Sequence, residues 1–271
     1  MNINNYSAYL HGMQMSLQDK LFWTDIIPRN SIDMVIDFGC ADGTLLNAID
    51  KEQRKLFDNK MIDKMWNLVG IDNNYEMLEK VKQKNLSIFT ASSFEEAKPF
   101  IENSTALLNL SSVIHEVYSY CSAEEIVHFW DTVFNSGFKY IAIRDMMISK
   151  TVQRKNGYYP YGNSIDDVQL ANYCEVRNLG NKDFVELDVK NQLEFLLKYR
   201  YIENWDREVR EFYFPIYFEQ LLNQIAENGK YHIEYINHYT LPFIKETVKE
   251  DFGIDLIDNT HCKLILKKKE I

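Results

Sequence analysis

The feature that most constrains this chain is a short strand that ends in a carboxylate and turns straight into a helix through glycines. MVIDFG (34–39) is followed by CAD, Gly43 and the helical pattern TLLNAIDKEQRKLF. The run is apolar without alternation, as expected of a parallel strand buried on both faces. The same unit recurs. NLVGID (67–72) leads into NYEMLEKVKQK (74–84), and LSIFTAS (86–92) into a short helix over 94–101. TALLNLSSVIH (105–115) leads into SAEEIVHFWDTVFNS (122–136), where Ser122 and Glu125 have the spacing of a capping box. FKYIAIRDMM (138–147) is a fifth strand. Strands alternating with helices imply right-handed crossovers, hence a parallel sheet with helices on both faces.

The flanking segments set the expected organisation. Residues 1–30 read as an N-terminal helical lid, with Tyr9, Leu10, Met13, Leu17, Leu21, Phe22 and Ile26 on one face and Pro28 as its stop. Residues 31–147 form the ligand-binding core. Residues 148–212 break the rhythm and read as a helical, aromatic-rich insertion capping the active edge, rich in tyrosine (Tyr158, Tyr159, Tyr161, Tyr173, Tyr199, Tyr201). Residues 213–271 supply a final helix, FPIYFEQLLNQIAEN (214–228) closed by Gly229, and two late strands, YHIEYINHYT and HCKLILKK. LPFIKETVKEDFG between them reads as a further helix. The expected class is thus α/β, a seven-stranded, mostly parallel sheet plus an insertion.

Composition narrows the function. At 271 residues and 46% hydrophobic, the chain can bury a core of one large domain, or of a domain and a cap. Its net charge of -10 argues against a basic surface built to track nucleic acid. Residues 1–149 hold 20 Asp and Glu against 13 Lys and Arg, so most of the excess lies there and the later half has room for a basic patch. Cys40, Cys121, Cys174 and Cys262 are far apart and form no CxxC pair, so reduced thiols are expected. No H-E-x-x-H or close His pair is present, and no metal is expected. There is no signal-peptide pattern and no apolar run of roughly 18 residues, which points to a cytoplasmic protein with no membrane partner.

In open α/β sheets, ligands bind beyond the carboxyl ends of the strands, where the strand order reverses. The chemistry is therefore sought first at Asp37-Phe38-Gly39. Gly39 and Gly43 allow close approach of a ligand to the backbone. A carboxylate before the turn suits an amine or cation and repels phosphate. Neither GxGxxG nor GK[ST] is present, so a dinucleotide or triphosphate site fits poorly.

These residues resemble the class I S-adenosylmethionine-dependent methyltransferases over roughly residues 31–147 and the final strand pair. DFGCADG is similar to that family's glycine-rich first motif and VGIDNN to its second. TASSF falls where the family contacts adenine, and ALLNLSSVIHEV resembles its fourth motif. The resemblance implies a Rossmann-like sheet, with S-adenosyl-L-methionine as cofactor and S-adenosyl-L-homocysteine as product. It implies Asp37 at the methionine amino group, with Gly39, Cys40 and Gly43 along the loop. Asp72 and Asn73 fall at the ribose, Ser92, Ser93 and Phe94 at the adenine, and Asn109, Leu110 and Ser111 along the cofactor. His115 and Glu116 face the acceptor as catalytic candidates, His115 as a base where the acceptor must lose a proton. Three departures stand out, the first being about a dozen extra residues (roughly 52–65) between the first helix and the second strand. Ala41 replaces a common glycine, so the loop is expected to pass there without left-handed backbone. Ser92 stands where many members carry an acid.

Plainer roles exist for the same residues. Asp37 or Asp72 can cap a following helix, His115 can be a buried structural histidine, and Glu116 a solvated or capping residue. Asp145 can pair with Arg144 or face the cleft. For the acceptor, LLKYRYIENWDREVREFYF interleaves basic and aromatic residues and leans towards RNA or another nucleic acid. The overall acidity and a lid suit a small-molecule acceptor instead. A non-catalytic binding or scaffold protein on the same fold is the alternative from another class, against which the intact Asp37, Gly39, Gly43 and Asp72 speak. Oligomeric state is not legible.

Overall fold

The computed structural model describes residues 16–85, 87–154, 159–160 and 165–270. Its centre is one seven-stranded sheet: β1 (Met34–Phe38), β2 (Asn67–Ile71), β3 (Phe89–Ala91), β4 (Ala106–Ser111), β5 (Tyr140–Met146), β6 (Tyr231–Tyr239) and β7 (His261–Lys268). The order is β3-β2-β1-β4-β5-β7-β6. β1 to β5 run parallel, and β7 is antiparallel to both β5 and β6. From β1 the chain winds outwards through β2 to β3, then returns to lay β4 on the other side of β1. The order therefore reverses between β1 and β4, where the crevice for a ligand opens.

Alternate strand residues feed two apolar layers. Ile36, Val69 and Leu108 pack on one face with Ala97, Phe129, Val133 and Leu221. Val35, Leu68 and Leu107 pack on the other with Leu46, Ile49, Leu78 and Val81. Helices cover both faces: α1 (Thr44–Asp58), α2 (Tyr75–Lys84), α3 (Phe94–Ile101), α4 (Ile114–Tyr120) and α5 (Ala123–Asn135), with Leu221 supplied by a later helix. α5 begins in the expected capping box: the Ser122 N–H donates to Glu125 at 2.7 Å and the Glu125 N–H to Ser122 Oγ at 3.3 Å.

Residues 150–212 contain no strand among those described. They carry α6 (Asp167–Val176), α7 (Val189–Lys198) and single turns such as Trp205–Glu208. Their apolar side chains form a third cluster that also takes in Val248, Phe252, Ile254 and Leu256. The helical segment therefore shares its core with the end of the chain. Of the tyrosines singled out there, Tyr159 and Tyr173 are buried in this cluster. Tyr158 and Tyr161 lie outside the described residues. α8 (Phe218–Asn228) and α9 (Pro242–Phe252) complete the fold.

Several boundaries differ from the sequence reading. The helix expected from 214 starts at Phe218, because Pro215 blocks helix at the residue before it and Tyr217 instead bridges to Ile148. β3 is only three residues long. Ser87 and Ile88 are drawn into a turn on Asn85, and residue 86 is not described. In the N-terminal segment, residues 16–20 are helical and Phe22–Asp25 a 3-10 turn. Tyr9, Leu10 and Met13 fall outside the described residues.

That N-terminal segment is tied to the sheet by a buried ion cluster. Arg144 Nε of β5 donates to Asp19 Oδ2 at 3.0 Å, and Lys263 of β7 and Tyr239 of β6 donate to the same carboxylate. Trp23 packs on Trp66 with ring centroids 5.4 Å apart. No helix among the described residues is long and apolar enough to cross a membrane.

Candidate active site

Beyond the carboxyl ends of β1, β2 and β4 lies a cavity of about 600 Å³. Gly39, Asp72, Asn73, Ser92, Ser93, Phe94 and Glu116 border it. The other residues singled out from the sequence, Asp37, Cys40, Gly43, Asn109, Leu110, Ser111 and His115, are not in its lining. They build and charge the wall behind it.

The first loop explains its glycines. Gly39 has φ +72°, and a Cβ there would fall 2.6 Å from Val113 Cγ2. Gly43 has φ +75°, and a Cβ there would fall 2.9 Å from Val81 Cγ2. Both need left-handed backbone and absence of a side chain. Ala41 corrects the sequence expectation: it takes φ +45°, left-handed despite its methyl. Its N–H donates to Asp72 Oδ2 at 2.9 Å, which holds it in that unfavoured region. The Cys40 side chain points away from the ligand space. It is buried in the apolar layer against Gly70, and burial pushes its thiol far up.

Asp72 is pinned by backbone from both loops. Besides Ala41, the Asn74 N–H donates to its Oδ1 at 2.8 Å. Helix α2 is capped not by Asp72 but by Asn74, whose Oδ1 accepts from Glu76 N at 3.0 Å. Ser92 spends its N–H and hydroxyl on Glu96, at 2.6 and 2.8 Å, and Ser93 caps α3. Phe94 stacks on Phe38 with centroids 4.7 Å apart and planes 7° apart. Together with Phe129, Met77 and Ile71 these rings give the cavity an apolar floor.

Asp37 is 2% exposed. Its register partner on β4, Asn109, donates Nδ2–H to Asp37 Oδ1 at 2.8 Å. Burial pushes the Asp37 carboxyl up to about 6; Asn109 and Lys20 restrain it and the charge of Asp72 adds to it. Asn109 Oδ1 and Ser111 Oγ are buried with no hydrogen-bond partner among the described residues. A carboxylate and two unanswered acceptors at this strand end suit a donor-rich cation. Leu110 is fully buried in the apolar layer between them.

On the other side of the crevice, His115 and Asp145 form a buried pair. His115 Nδ1–H donates to Asp145 Oδ1 at 2.7 Å, while Ile114 N–H and Met146 N–H each donate to Asp145 at 2.7 Å. Burial opposes the charged imidazolium, but the Asp145 charge and hydrogen bond outweigh it and hold the His115 pKa above its ordinary value. Burial also raises the Glu116 carboxyl. Arg207 bridges two carboxylates, donating from Nη2 to Glu116 at 2.8 Å and from Nε to Glu211 at 2.7 Å. The Tyr213 ring meets the His115 edge at 5.6 Å.

Sequence reasoning missed Glu211, Arg207, Ser112 and Lys20. Glu211 is held from behind: Lys198 and Arg177 both donate to its carbonyl, and both pair with the buried Glu194. Ser112, left-handed at φ +57°, accepts from Arg144 Nη1 at 3.0 Å and borders the cavity. Lys20 is pushed down by burial and by Arg144, and drawn back up by Asp37, Asp145 and Glu116. The signal that was available for the first two is WDREVRE itself, where Arg207 and Glu211 stand four apart.

No family model and no curated protein sequence matches the chain. Among solved structures, it is similar to the methyltransferase domain of bacterial CtHen1-C, with TM-score 0.48 and 12% identity over 94% of this chain and 100% of that one. The plantazolicin methyltransferase BamL, crystallised with a triazolic desmethylPZN analog and SAH, gives 0.46 and 10% over 94% and 85%. An S-adenosylmethionine-dependent methyltransferase from Mesorhizobium loti gives 0.47 and 11% over 93% and 96%.

Proposed function

We propose that this chain is an S-adenosylmethionine-dependent methyltransferase. The observation that carries the reading is the pairing of two differently built carboxylates across the crevice. Asp37, buried and flanked by the unanswered Asn109 Oδ1 and Ser111 Oγ, suits the ammonium of a methionine moiety. Asp72, fixed by two backbone N–H groups at the cavity rim, suits a vicinal diol through charge-assisted hydrogen bonds. The apolar floor of Phe38, Phe94 and Met77 suits adenine. Such a cofactor supplies a methyl on a sulfonium: the acceptor lone pair forms the new bond to carbon and the C–S electron pair returns to sulfur.

The protein's share is to orient the partners and exclude water. Glu116 borders the cavity on the acceptor side, where it can hold the acceptor and receive a proton it loses, and His115 is buried behind it against Asp145. The wall there is acidic. Glu95, Glu116 and Glu125 border the cavity with Asp72, and Arg207 is already engaged by Glu116 and Glu211. That lining favours a small, neutral or cationic acceptor over the polyanionic RNA that the 196–214 segment suggested.

The test is transfer of label from methyl-labelled S-adenosylmethionine into a fractionated cell extract, with Asp72→Ala as control. Label in the small-molecule fraction, lost in the variant, is the expected result. Label in RNA would overturn the acceptor assignment. Absence of both label and cofactor binding would overturn the methyltransferase reading.

A further inference from the structure

Three ligand-bearing side chains from distant parts of the chain meet behind the acceptor wall: His115 and Glu116 of α4, and Glu211 from the segment after α7. One donor atom from each lies within 4.8 Å of the other two. We propose that these three residues bind a single divalent first-row transition ion, of the Mn²⁺ or Zn²⁺ kind. Its placement beside an acceptor rests on the methyltransferase reading; its binding does not.

The histidine is held as a metal ligand would be. With Nδ1–H committed to Asp145, a neutral ring presents the Nε2 lone pair. That nitrogen makes no hydrogen bond among the described residues and stands 3.8 Å from Glu211 Oε2, with the ring 4% exposed. A lone pair there would face a buried carboxylate, so the position suits a positive charge: the Nε2 proton of an imidazolium, or a metal ion that takes that proton's place. A histidine whose second nitrogen donates to a carboxylate is the usual arrangement of a metal ligand, since that bond fixes the tautomer and the ring plane.

The two glutamates are prepared in the same way. Glu211 Oε1 accepts from Arg207 Nε at 2.7 Å and from Tyr120 OH at 3.1 Å. Glu116 Oε1 accepts from Arg207 Nη2 at 2.8 Å. Each carboxylate is thus steadied through one oxygen, leaving Oε2 for another partner. The carboxylates of Asp145, Glu116 and Glu211 face the Arg207 guanidinium and lie within electrostatic reach of the Lys20 ammonium, so with a neutral ring the cluster keeps net negative charge that a cation offsets. The frame is rigid: Phe212 N–H donates to Ser119 Oγ at 2.8 Å, and that hydroxyl donates to the His115 carbonyl at 2.6 Å.

One imidazole nitrogen with two carboxylate oxygens selects a first-row transition ion over Mg²⁺ or Ca²⁺, which take oxygen ligands. Glu116 and Arg207 border the cavity, so the open coordination positions face it. An ion there can hold an acceptor oxygen and ease loss of its proton. His115 then serves as a ligand in place of a base.

The experiment is titration of chelator-treated full-length protein with Mn²⁺ alone, reading the free aquo-ion signal by electron paramagnetic resonance. One Mn²⁺ per chain, displaced by Zn²⁺ and not by equal Mg²⁺ or Ca²⁺, is expected. Glu116→Gln and Asp145→Asn should each weaken binding by about 10–100-fold. Should Asp145→Asn not fold, Glu116→Gln at the half-buried cavity wall carries the test. Failure of the wild type to bind Mn²⁺ or Zn²⁺, or unchanged affinity in Glu116→Gln, overturns the assignment. S-adenosylhomocysteine binding in the same samples separates the two readings. Mn²⁺ bound without it keeps the ion and removes the methyltransferase, and the converse removes only the ion.

Discussion

Replacing Asp37 by Asn should stabilise the ligand-free protein while weakening the cofactor. The Asp37 carboxyl is carried from 3.8 to about 6, chiefly by burial. A raised carboxyl favours the native state while it is protonated. Native stability is therefore fully present below the unfolded pKa near 4 and declines as pH rises to about 6, after which it stays level. The difference corresponds to roughly 3 kcal/mol. Asn keeps the shape and still offers Oδ1 to Asn109 Nδ2, and the restraint by Asn109 and Lys20 is already contained in that net shift. Lys20 also loses a neighbouring negative charge. The net expectation is a gain of up to about 3 kcal/mol at pH 8 and none at pH 4. Urea unfolding followed by tryptophan fluorescence across that range measures it. A variant that is less stable than wild type at pH 8, or that keeps the wild-type decline between pH 4 and 6, refutes the reasoning. In the same variant the affinity for S-adenosylhomocysteine should fall by about 10–100-fold, since a charge-assisted contact is worth about 1.5–3 kcal/mol.

Asp72→Ala removes the acceptor for Ala41 N–H and the proposed diol contact; calorimetry should find cofactor affinity lower by about 1.5–3 kcal/mol, and wild-type affinity would sink the assignment. Asp19→Ala strands Arg144 and Lys263 at a largely buried site. It should lower unfolding free energy by about 3–5 kcal/mol, and a loss under 1 kcal/mol would mean that the cluster is solvated. Gly39→Ala combines a left-handed backbone with a 2.6 Å approach to Val113 Cγ2. It should lose about 1–3 kcal/mol in urea unfolding, and the partner change Val113→Ala should restore part of it; no rescue would place the strain in the backbone alone.

Much of the architecture was legible because it depends on local pattern. The mostly apolar runs of β1, β4 and β5, without an alternating solvent face, announce a covered parallel sheet. The Ser122–Glu125 box and Gly229 mark helix ends through bonds that span only three or four residues. The helix at 214 was misplaced for two reasons: Pro215, already visible in the sequence, keeps Phe214 out of helix, and Tyr217 pairs with Ile148, a partner 69 positions away. Ala41 was misread for a similar reason. Its methyl disfavours left-handed backbone in isolation, but in that geometry its N–H donates to the Asp72 carboxylate, 31 positions on.

The site divides along the same line. Sequence alone determined that Gly39 and Gly43 flank a turn at a strand end, and that Asp37, Asp72 and Glu116 lie near the carboxyl edge of a sheet. Those statements follow from strand direction and residue type. Only the tertiary structure decided that Asn109 faces Asp37, that Asp145 orients His115 from 30 positions away, and that Arg207 joins Glu116 to Glu211. It also decided that His115 lies behind the cavity wall and Glu116 in it. The physical reason is that these properties come from which strands become neighbours and from how completely water is removed around each charge. Neither is a property of a short stretch of chain.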